Sequence, residues 1–168
     1  GCFIESAVDC FNRSRPDQQQ TLQFVIPLIS EAHQRIVDTL CHSLAPQVPI
    51  KTLVSQTPAV LAAADAVLVA SGTATLETML YKKPMIVAYR MHPLTYAIAR
   101  RLVKVPFIAL PNLLANQALV PEYIQKRATP ALLGEALYKL IHHREGESAL
   151  LAHFKRIHLS LKKNASDK

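Results

Sequence analysis

Short apolar runs alternate along the chain with segments in which apolar residues recur every three or four positions. The runs are rich in Val, Ile and Leu and are bounded by Pro, Gly or polar residues, as is typical of buried parallel strands. The predicted strands are 22–28, 49–54, 66–70, 84–89 and 107–112, and the predicted helices cover about 2–14, 57–64, 73–81, 93–103, 129–143 and 147–163. Because strand and helix alternate with short connections, we expect an α/β fold, a parallel sheet with helices on both faces.

A further helix is predicted between the first two strands. Ser30 is placed to cap its first turn. Its apolar stripe comprises Ile36, Val37, Leu40 and Leu44, and such a stripe normally faces the core.

The two ends of the chain suggest a division at residue 143. Residues 1–143 contain all the predicted strands and would form the main domain. Residues 144–168 would form a closing helix and tail whose apolar stripe packs on the same domain or on a partner. The stripe comprises Leu150, Leu151, Phe154, Ile157 and Leu161.

Composition and charge narrow the class of partner. The 168 residues are half hydrophobic with only 4 Gly, which indicates a globular domain rather than a disordered or fibrous chain. The formal net charge of +7 favours an anionic partner. Aromatic residues make up 6% of the chain and Trp is absent, so binding of single-stranded nucleic acid through stacked aromatic side chains has little support.

Cysteine and histidine positions do not predict a metal site. The three cysteines, Cys2, Cys10 and Cys41, lack metal-type spacing and are interpreted as reduced thiols. His92, His153 and His158 have no Cys or Asp partner at ligand spacing, so we expect no metal. The first ten residues do not resemble a signal peptide. No apolar run is long enough to span a membrane. The chain lacks an initiator Met, which suggests that it is a fragment.

The turn Ser71-Gly72-Thr73 comes directly after a predicted strand and opens a helix. Gly72 would let a ligand approach the backbone closely, and the first amides of the helix favour a phosphate. The hydroxyls of Ser71, Thr73 and Thr75 add donors. A plain helix cap would explain the same residues, because a single glycine turn is a weak motif.

Glu77 lies about one turn beyond Thr73. Its carboxylate could accept hydrogen bonds from both hydroxyls of a ribose while a phosphate rests at the start of the helix. A favourable interaction with the helix dipole explains the residue equally well.

A basic segment follows this helix. No Asp or Glu occurs between Glu77 and Glu122, whereas six Lys or Arg accumulate there: Lys82, Lys83, Arg90, Arg100, Arg101 and Lys104. For each residue alone, a solvated surface is the ordinary explanation. A segment without counter-charge repels itself unless something anionic binds it, so Arg100, Arg101 and Lys104 are candidates to face phosphates or an anionic lipid surface.

Polar residues follow two more predicted strands. Arg90 comes after the strand 84–89, and Asn112, with Gln117 nearby, comes after the strand 107–112. The carboxyl ends of parallel strands share one edge of the sheet, where ligands bind. We therefore expect Arg90, Asn112 and Gln117 to lie near Gly72.

The order of several short stretches supports a specific resemblance. "SGTATLE", "YRM", "RLVK" and "LPNLLA" occur in this order, and the segment that contains them closely resembles the carboxyl-terminal domain of bacterial lipid-A-disaccharide synthases. The similarity extends over about residues 11–163. It implies one half of a GT-B glycosyltransferase, in which two Rossmann-like domains face each other across a cleft.

The resemblance implies a transfer reaction without metal or organic cofactor. The family condenses UDP-2,3-diacylglucosamine with 2,3-diacylglucosamine 1-phosphate, on the inner face of the bacterial inner membrane. Ser71, Gly72 and Thr73 would hold the diphosphate and Glu77 the ribose, whereas Arg90 and Asn112 would line the cleft. The acceptor pocket and the general base belong to an amino-terminal domain, so no catalytic residue is expected in this chain.

The resemblance also bears on the first strand and on partners. Family members begin this domain with a strand and a Gly-Ser-Arg loop that are absent here, so the chain is expected to bind UDP weakly at best and not to turn over alone. Its partners would be the donor, the lipid acceptor, the anionic membrane surface, the amino-terminal domain and a second subunit, because the closing helices of the family can exchange between subunits.

Two other functions remain open. The first is a different UDP-N-acetylglucosamine enzyme, such as a MurG-like transferase or an epimerase. The second is a non-catalytic basic module that binds anionic membranes or nucleic acid, whose binding would fall steeply with salt and ignore UDP.

Overall fold

The computed structural model describes residues 1–19, 21–70, 72–91 and 107–166. The strands in chain order are β1 (Phe24–Leu28), β2 (Ile50–Val54), β3 (Val67–Ala70), β4 (Met85–Tyr89) and β5 (Glu122–Ile124). The helices are α1 (Cys2–Arg13), α2 (Pro16–Gln19), α3 (Glu31–Leu44), α4 (Thr57–Ala63), α5 (Thr73–Leu80), α6 (Leu110–Ala115), α7 (Pro130–His142) and α8 (Glu147–Ser166).

The chain divides into two compact units. Unit 1 comprises Gly1–Asp65 and Thr129–His143, and unit 2 comprises Ala66–Ala128 and Arg144–Lys168. The predicted division into a nucleotide-sugar domain, residues 1–143, and a closing helix and tail, residues 144–168, stays a prediction.

Unit 1 is built on the parallel pair β1 and β2, which align from Phe24 opposite Ile50 to Leu28 opposite Val54. Helix α3 connects the two strands, and the Ser30 hydroxyl accepts a bond from the His33 amide at its start. This confirms Ser30 as the cap. The predicted stripe of α3 is wrong in part, because Val37 packs into the core whereas Ile36 is 61% exposed. Leu40 and Leu44 are also exposed.

Helices α1 and α7 approach closely at Gly134. A Cβ atom built on Gly134 would lie 2.6 Å from Cβ of Asp9 and 2.8 Å from the backbone oxygen of Ser6. Carbon atoms do not pack at such distances, and a backbone oxygen moves only with its helix. The absence of a side chain at residue 134 therefore sets the distance between the two helices.

We expect Gly134→Ala to lower the free energy of unfolding by about 2 kcal/mol net, since overpacking outweighs the gain in helix propensity. Urea denaturation followed by circular dichroism measures the change. Ala131→Gly, at an exposed position of the same helix, is the control and should cost only the propensity difference. A Gly134→Ala variant more stable than the wild type would contradict the close contact.

Unit 2 contains the parallel sheet β3–β4–β5, with β4 in the centre. Residues 85–88 of β4 are at most 4% exposed, as expected for a central strand covered on both faces. Helices α5 and α8 contribute Met79 and Phe154 to a core that also contains Val69, Met85 and Val87. The apolar stripe of the closing helix therefore packs within unit 2.

These parallel sheets with their helices confirm the predicted α/β, Rossmann-like fold. Within the described residues, β1 pairs only with β2 and β3 only with β4. Each has an edge where another strand could pair. A missing first strand stays a prediction.

The predicted strand 107–112 is wrong. Residues 110–115 form α6, with Pro111 in its first turn, where a residue without an amide hydrogen is tolerated. The third strand of the sheet is β5, which begins at Glu122, after this helix. The predicted helix 93–103 lies outside the described residues.

Candidate functional site

Gly72 follows β3 and is the N-cap of α5. Its φ of 116° and ψ of −153° form a backbone conformation that only glycine adopts without strain. A Cβ atom built at this position would meet no atom of the described residues within 4 Å, so this part of the chain leaves the backbone of Gly72 accessible. Glycine has no side chain to cap the helix, and the start of α5 has no side-chain cap hydrogen bond. The first amides of a helix have no partner within the helix, so the start of α5 is a candidate donor site.

Thr73 and Glu77 are exposed on α5. They are four residues apart, so they lie on the same face of the helix, one turn from each other. Thr75 was expected to supply a hydroxyl, but it is fully buried and its hydroxyl donates to the Gly72 oxygen at 2.7 Å. The structure thus brings Gly72, Thr73 and Glu77 together and directs Thr75 to the backbone.

Arg90 lies at the same edge of the sheet. Ala70 of β3 pairs with Ala88 of β4, so Gly72 and Arg90 each come two residues after paired positions on neighbouring strands. Arg90 is exposed. The carboxyl edge therefore has an open glycine turn beside an exposed guanidinium, an arrangement that suits an anionic ligand.

Gln125 is a residue of this edge that sequence reasoning missed. It follows β5, whose Ile124 pairs with Tyr89. The Gln125 side chain accepts a bond from the Met91 amide at 2.8 Å and donates to the Met91 oxygen at 3.0 Å. These two bonds fix the backbone directly after Arg90. The sequence contained one signal for this residue, the short stretch "EYI" with its strand-forming residues Tyr and Ile, followed by the polar Gln125.

Asn112 has a different environment from the one expected. It lies in α6 rather than at a strand end, and it is 1% exposed. Its Nδ2 donates to the Val120 oxygen and to Glu122, both at 2.9 Å. Its Oδ1 accepts from the amides of Leu119 at 2.8 Å and Val120 at 2.9 Å. All hydrogen-bonding capacity of Asn112 is therefore used inside unit 2, which leaves none for a ligand.

Gln117 also lies away from a strand end, because the strand on which its placement rested is not formed. Gln117 is exposed in the loop after α6, and its backbone amide donates to the backbone oxygen of Asn112 at 3.1 Å. Ser71, Arg100, Arg101 and Lys104 lie outside the described residues. Their suggested roles stay predictions.

Glu122 anchors the chain where it re-enters the described part of unit 2. Its carboxylate accepts bonds from the amides of Ile108 and Ala109, the shortest at 2.8 Å. The third partner is Asn112 Nδ2. Glu122 and Gln125 thus hold the backbone on either side of residues 92–106.

Electrostatic and metal-binding features elsewhere are modest. Burial, followed by the nearby Asp9, raises the pKa of the Cys10 thiol to about 11, so this thiol is protonated and a weak nucleophile at neutral pH. Within residues 1–19, 21–70, 72–91 and 107–166 there is no group of three or more His, Cys, Asp or Glu placed to bind a metal. In the same residues, no helix has the length and hydropathy needed to cross a bilayer.

The parallel sheet and the open helix start at its carboxyl edge define the chain as a Rossmann-like α/β protein with a candidate anion-binding edge. A sequence model of the lipid-A-disaccharide synthetase family matches residues 13–167. The chain belongs to this family.

Curated relatives agree with the assignment. The lipid-A-disaccharide synthase of Azotobacter vinelandii is 49% identical over 145 residues, which cover 86% of this chain and 37% of the relative. That of Hahella chejuensis is 44% identical over 164 residues, 98% of this chain and 40% of the relative. The lipid-A-disaccharide synthase of Haemophilus influenzae is 44% identical over 155 residues, which cover 89% of this chain and 39% of the relative. The chain therefore spans about two fifths of the length of these relatives.

Proposed function

We propose that this chain is the donor-nucleotide-binding part of a lipid-A-disaccharide synthase. The whole protein would condense UDP-2,3-diacylglucosamine with 2,3-diacylglucosamine 1-phosphate and release UDP. The main support is the family match over residues 13–167. The open helix start at Gly72, beside Arg90 and Glu77, is the feature of the chain that fits a nucleotide diphosphate.

In the proposed complex, the diphosphate rests against the amides at Gly72 and Thr73. The partial positive charge of a helix start favours an anion there, and Arg90 adds a full positive charge at the neighbouring strand end. Glu77 accepts hydrogen bonds from the ribose hydroxyls one turn further along α5. Ser71 would complete the phosphate contacts, and Gln117 would contribute from the loop after α6.

Such an arrangement helps the reaction through the leaving group. UDP gains negative charge as the glycosidic bond to the donor sugar breaks. Preformed amide donors and a guanidinium stabilise that charge without having to reorganise. We assign no general base to this chain. The acid–base step would belong to the rest of the whole protein.

The basic segment and the location of the protein complete the proposal. Arg100, Arg101 and Lys104 would face substrate phosphates or the anionic surface of the inner membrane, with the protein peripheral on its cytoplasmic side. A second subunit is a further proposed partner. The alternative of a MurG-like transferase or an epimerase is less favoured, because the relatives matched over most of this chain are named lipid-A-disaccharide synthases.

Binding of UDP to the 168-residue chain, measured by ligand-observed NMR or calorimetry, tests the proposed site. We expect weak, saturable binding that Glu77→Gln lowers about tenfold, since hydrogen bonds to a charged group contribute about 1.5–3 kcal/mol. Glu31→Gln, in the first turn of α3 in unit 1, is the matched control and should leave binding unchanged.

Uridine and salt separate the proposed function from its alternatives. Uridine lacks the phosphates and should bind more weakly than UDP. Equal affinity for the two would contradict the role of Gly72 and Arg90. No saturable UDP binding even at millimolar concentrations, combined with salt-sensitive binding to polyanions, would favour a non-catalytic basic module. Formation of disaccharide by this chain alone would contradict its assignment as the donor-binding part only.

A further inference from the structure

The main chain of unit 2 leaves the sheet at Gln125. Strand β5 ends at Ile124, which still pairs with Tyr89 of β4. Gln125 has a φ of 52° and begins a short 3-10 helix, Gln125–Arg127. A residue with a side chain adopts this left-handed conformation only at a cost that the surrounding contacts have to offset.

The side chain of Gln125 bonds to the backbone just beyond the end of β4. Its Oε1 accepts a hydrogen bond from the Met91 amide at 2.8 Å, and its Nε2 donates one to the Met91 oxygen at 3.0 Å. A primary amide has a donor and an acceptor side by side, so it can bond both backbone groups of one residue. The two bonds therefore hold the chain two residues after the last residue of β4.

Arg90 lies between two residues whose backbone is held. Tyr89 before it pairs with Ile124, and Met91 after it is bonded to Gln125. Arg90 itself is exposed, and in the part of the chain that the structure describes no carboxylate forms an ion pair with it. Its position along the edge is thus fixed while its charge stays available.

We propose that Gln125 is a positioning residue for the diphosphate of the nucleotide donor and acts through Arg90. By holding Met91, Gln125 keeps the Arg90 guanidinium at the carboxyl edge beside Gly72. This role rests on the proposed function, because it requires a nucleotide diphosphate at that edge. A cation that is held in place before the ligand arrives binds it more tightly, since less conformational freedom is lost on binding.

The positive φ of Gln125 allows its two roles to be separated. Glycine adopts the same backbone conformation without strain, so Gln125→Gly preserves the turn and removes only the side-chain amide. The bonds that are lost end on Met91, next to Arg90. The variant therefore removes the positioning contact and relieves backbone strain at the same residue.

The affinities of the 168-residue chain for UDP and for uridine, measured by ligand-observed NMR, test the proposal. Gln125→Gly should lower the affinity for UDP about three- to tenfold, because fewer molecules hold Arg90 in the binding-competent position. The affinity for uridine, which has no phosphates, should not change. Loss of folded protein would lower both affinities equally, so their ratio reports positioning rather than stability.

Asn116→Gly is the matched control. Asn116 also belongs to unit 2, is exposed and has a positive φ of 49°. The control variant therefore removes an amide side chain and relieves the same kind of backbone strain. It should leave the affinities for UDP and for uridine unchanged. Thermal unfolding of each variant shows that the chain is folded.

A double-mutant cycle tests whether the effect passes through Arg90. Arg90→Ala should itself lower the affinity for UDP about tenfold, because a charge-assisted contact to phosphate is lost. In the Arg90→Ala chain, Gln125→Gly should have no further effect on UDP, since the side chain that it positions is gone. Residues that act as one unit show such non-additive effects.

Three outcomes would overturn the proposal. They are an unchanged UDP affinity in Gln125→Gly, equal losses for UDP and uridine, and the same loss of UDP affinity with and without Arg90. The last result would mean that Gln125 contacts the ligand directly. If the wild type binds UDP, any of the three rejects the role of Gln125 and leaves the proposed function standing. A wild type that does not bind UDP would reject both.

Discussion

We expect Asn112→Ala to lower the free energy of unfolding by about 3–5 kcal/mol, because it leaves several buried polar groups without partners, each at about 1–3 kcal/mol. The amides of Leu119 and Val120 and the Val120 oxygen all lose the Asn112 side chain. Glu122 loses one of its donors. Urea denaturation followed by circular dichroism measures the loss.

The control and a second variant make this result specific. Asn12→Ala removes the same side chain at an exposed position of α1, and we expect a change within about 0.5 kcal/mol. Asn112→Asp keeps the acceptor oxygen but loses the donor and places a carboxylate beside Glu122, so it should also destabilise strongly. If Asn112→Ala cost no more than Asn12→Ala, the proposed hydrogen-bonding role would be wrong and Asn112 would again be a candidate ligand contact.

Phe154→Ala should cost about 3–5 kcal/mol, the range for removing a buried aromatic ring and leaving a cavity. Phe154 is fully buried and packs with Met79, Met85 and Val87. Helix α8 joins unit 2 through this contact, so loss of the ring should weaken the attachment of the whole helix. Chemical denaturation measures the stability, and limited proteolysis reports on the attachment of α8.

Leu159→Ala is the matched control on the same helix. Leu159 is exposed opposite Phe154, so its truncation should change stability by about 0.5 kcal/mol or less. If the two variants were equally stable, α8 would not pack on unit 2 in solution. The closing helix would then be free to bind a partner domain or chain, as the sequence also allowed.

The central part of unit 2 could be predicted from the sequence because its signals are local. Strand β4 is an apolar run bounded by Pro84 and Arg90, as expected for a strand buried on both faces. The glycine turn at Gly72 sits between an apolar run and a helical period. The position of Thr73 and Glu77 on the same face of α5 follows from helical spacing alone. The family resemblance, confirmed by the match over residues 13–167, used the same stretches.

Features that depend on distant contacts could not be predicted. Residues 107–112 have the composition of a strand, but Pro111 and the hydrogen bonds of Asn112 favour a helix in the folded chain. Strand β5 has three residues, too few for a periodic signal. Its pairing with β4 gives Gln125 its place at the edge, and sheet order is not encoded locally.

The apolar stripe of α3 was misassigned for a related reason. Periodicity identifies apolar positions but does not say which of two adjacent faces meets the core. Val37 and Cys41 face inward, whereas Ile36 does not. In the same way, the hydroxyl of Thr75 was available by sequence but is used by the Gly72 oxygen.

The segment Glu122–Gln125 has a mechanical consequence for the backbone at Met91 and at Ile108. The Gln125 side chain forms hydrogen bonds with the backbone of Met91, and the Glu122 carboxylate accepts a hydrogen bond from the amide of Ile108. Glu122 and Gln125 are three positions apart in the chain, the first at the start of β5 and the second directly after its end. One short segment therefore holds the backbone at both Met91 and Ile108. Removing the Glu122 side chain would loosen the backbone at Ile108 while the two bonds between Gln125 and Met91 stayed intact.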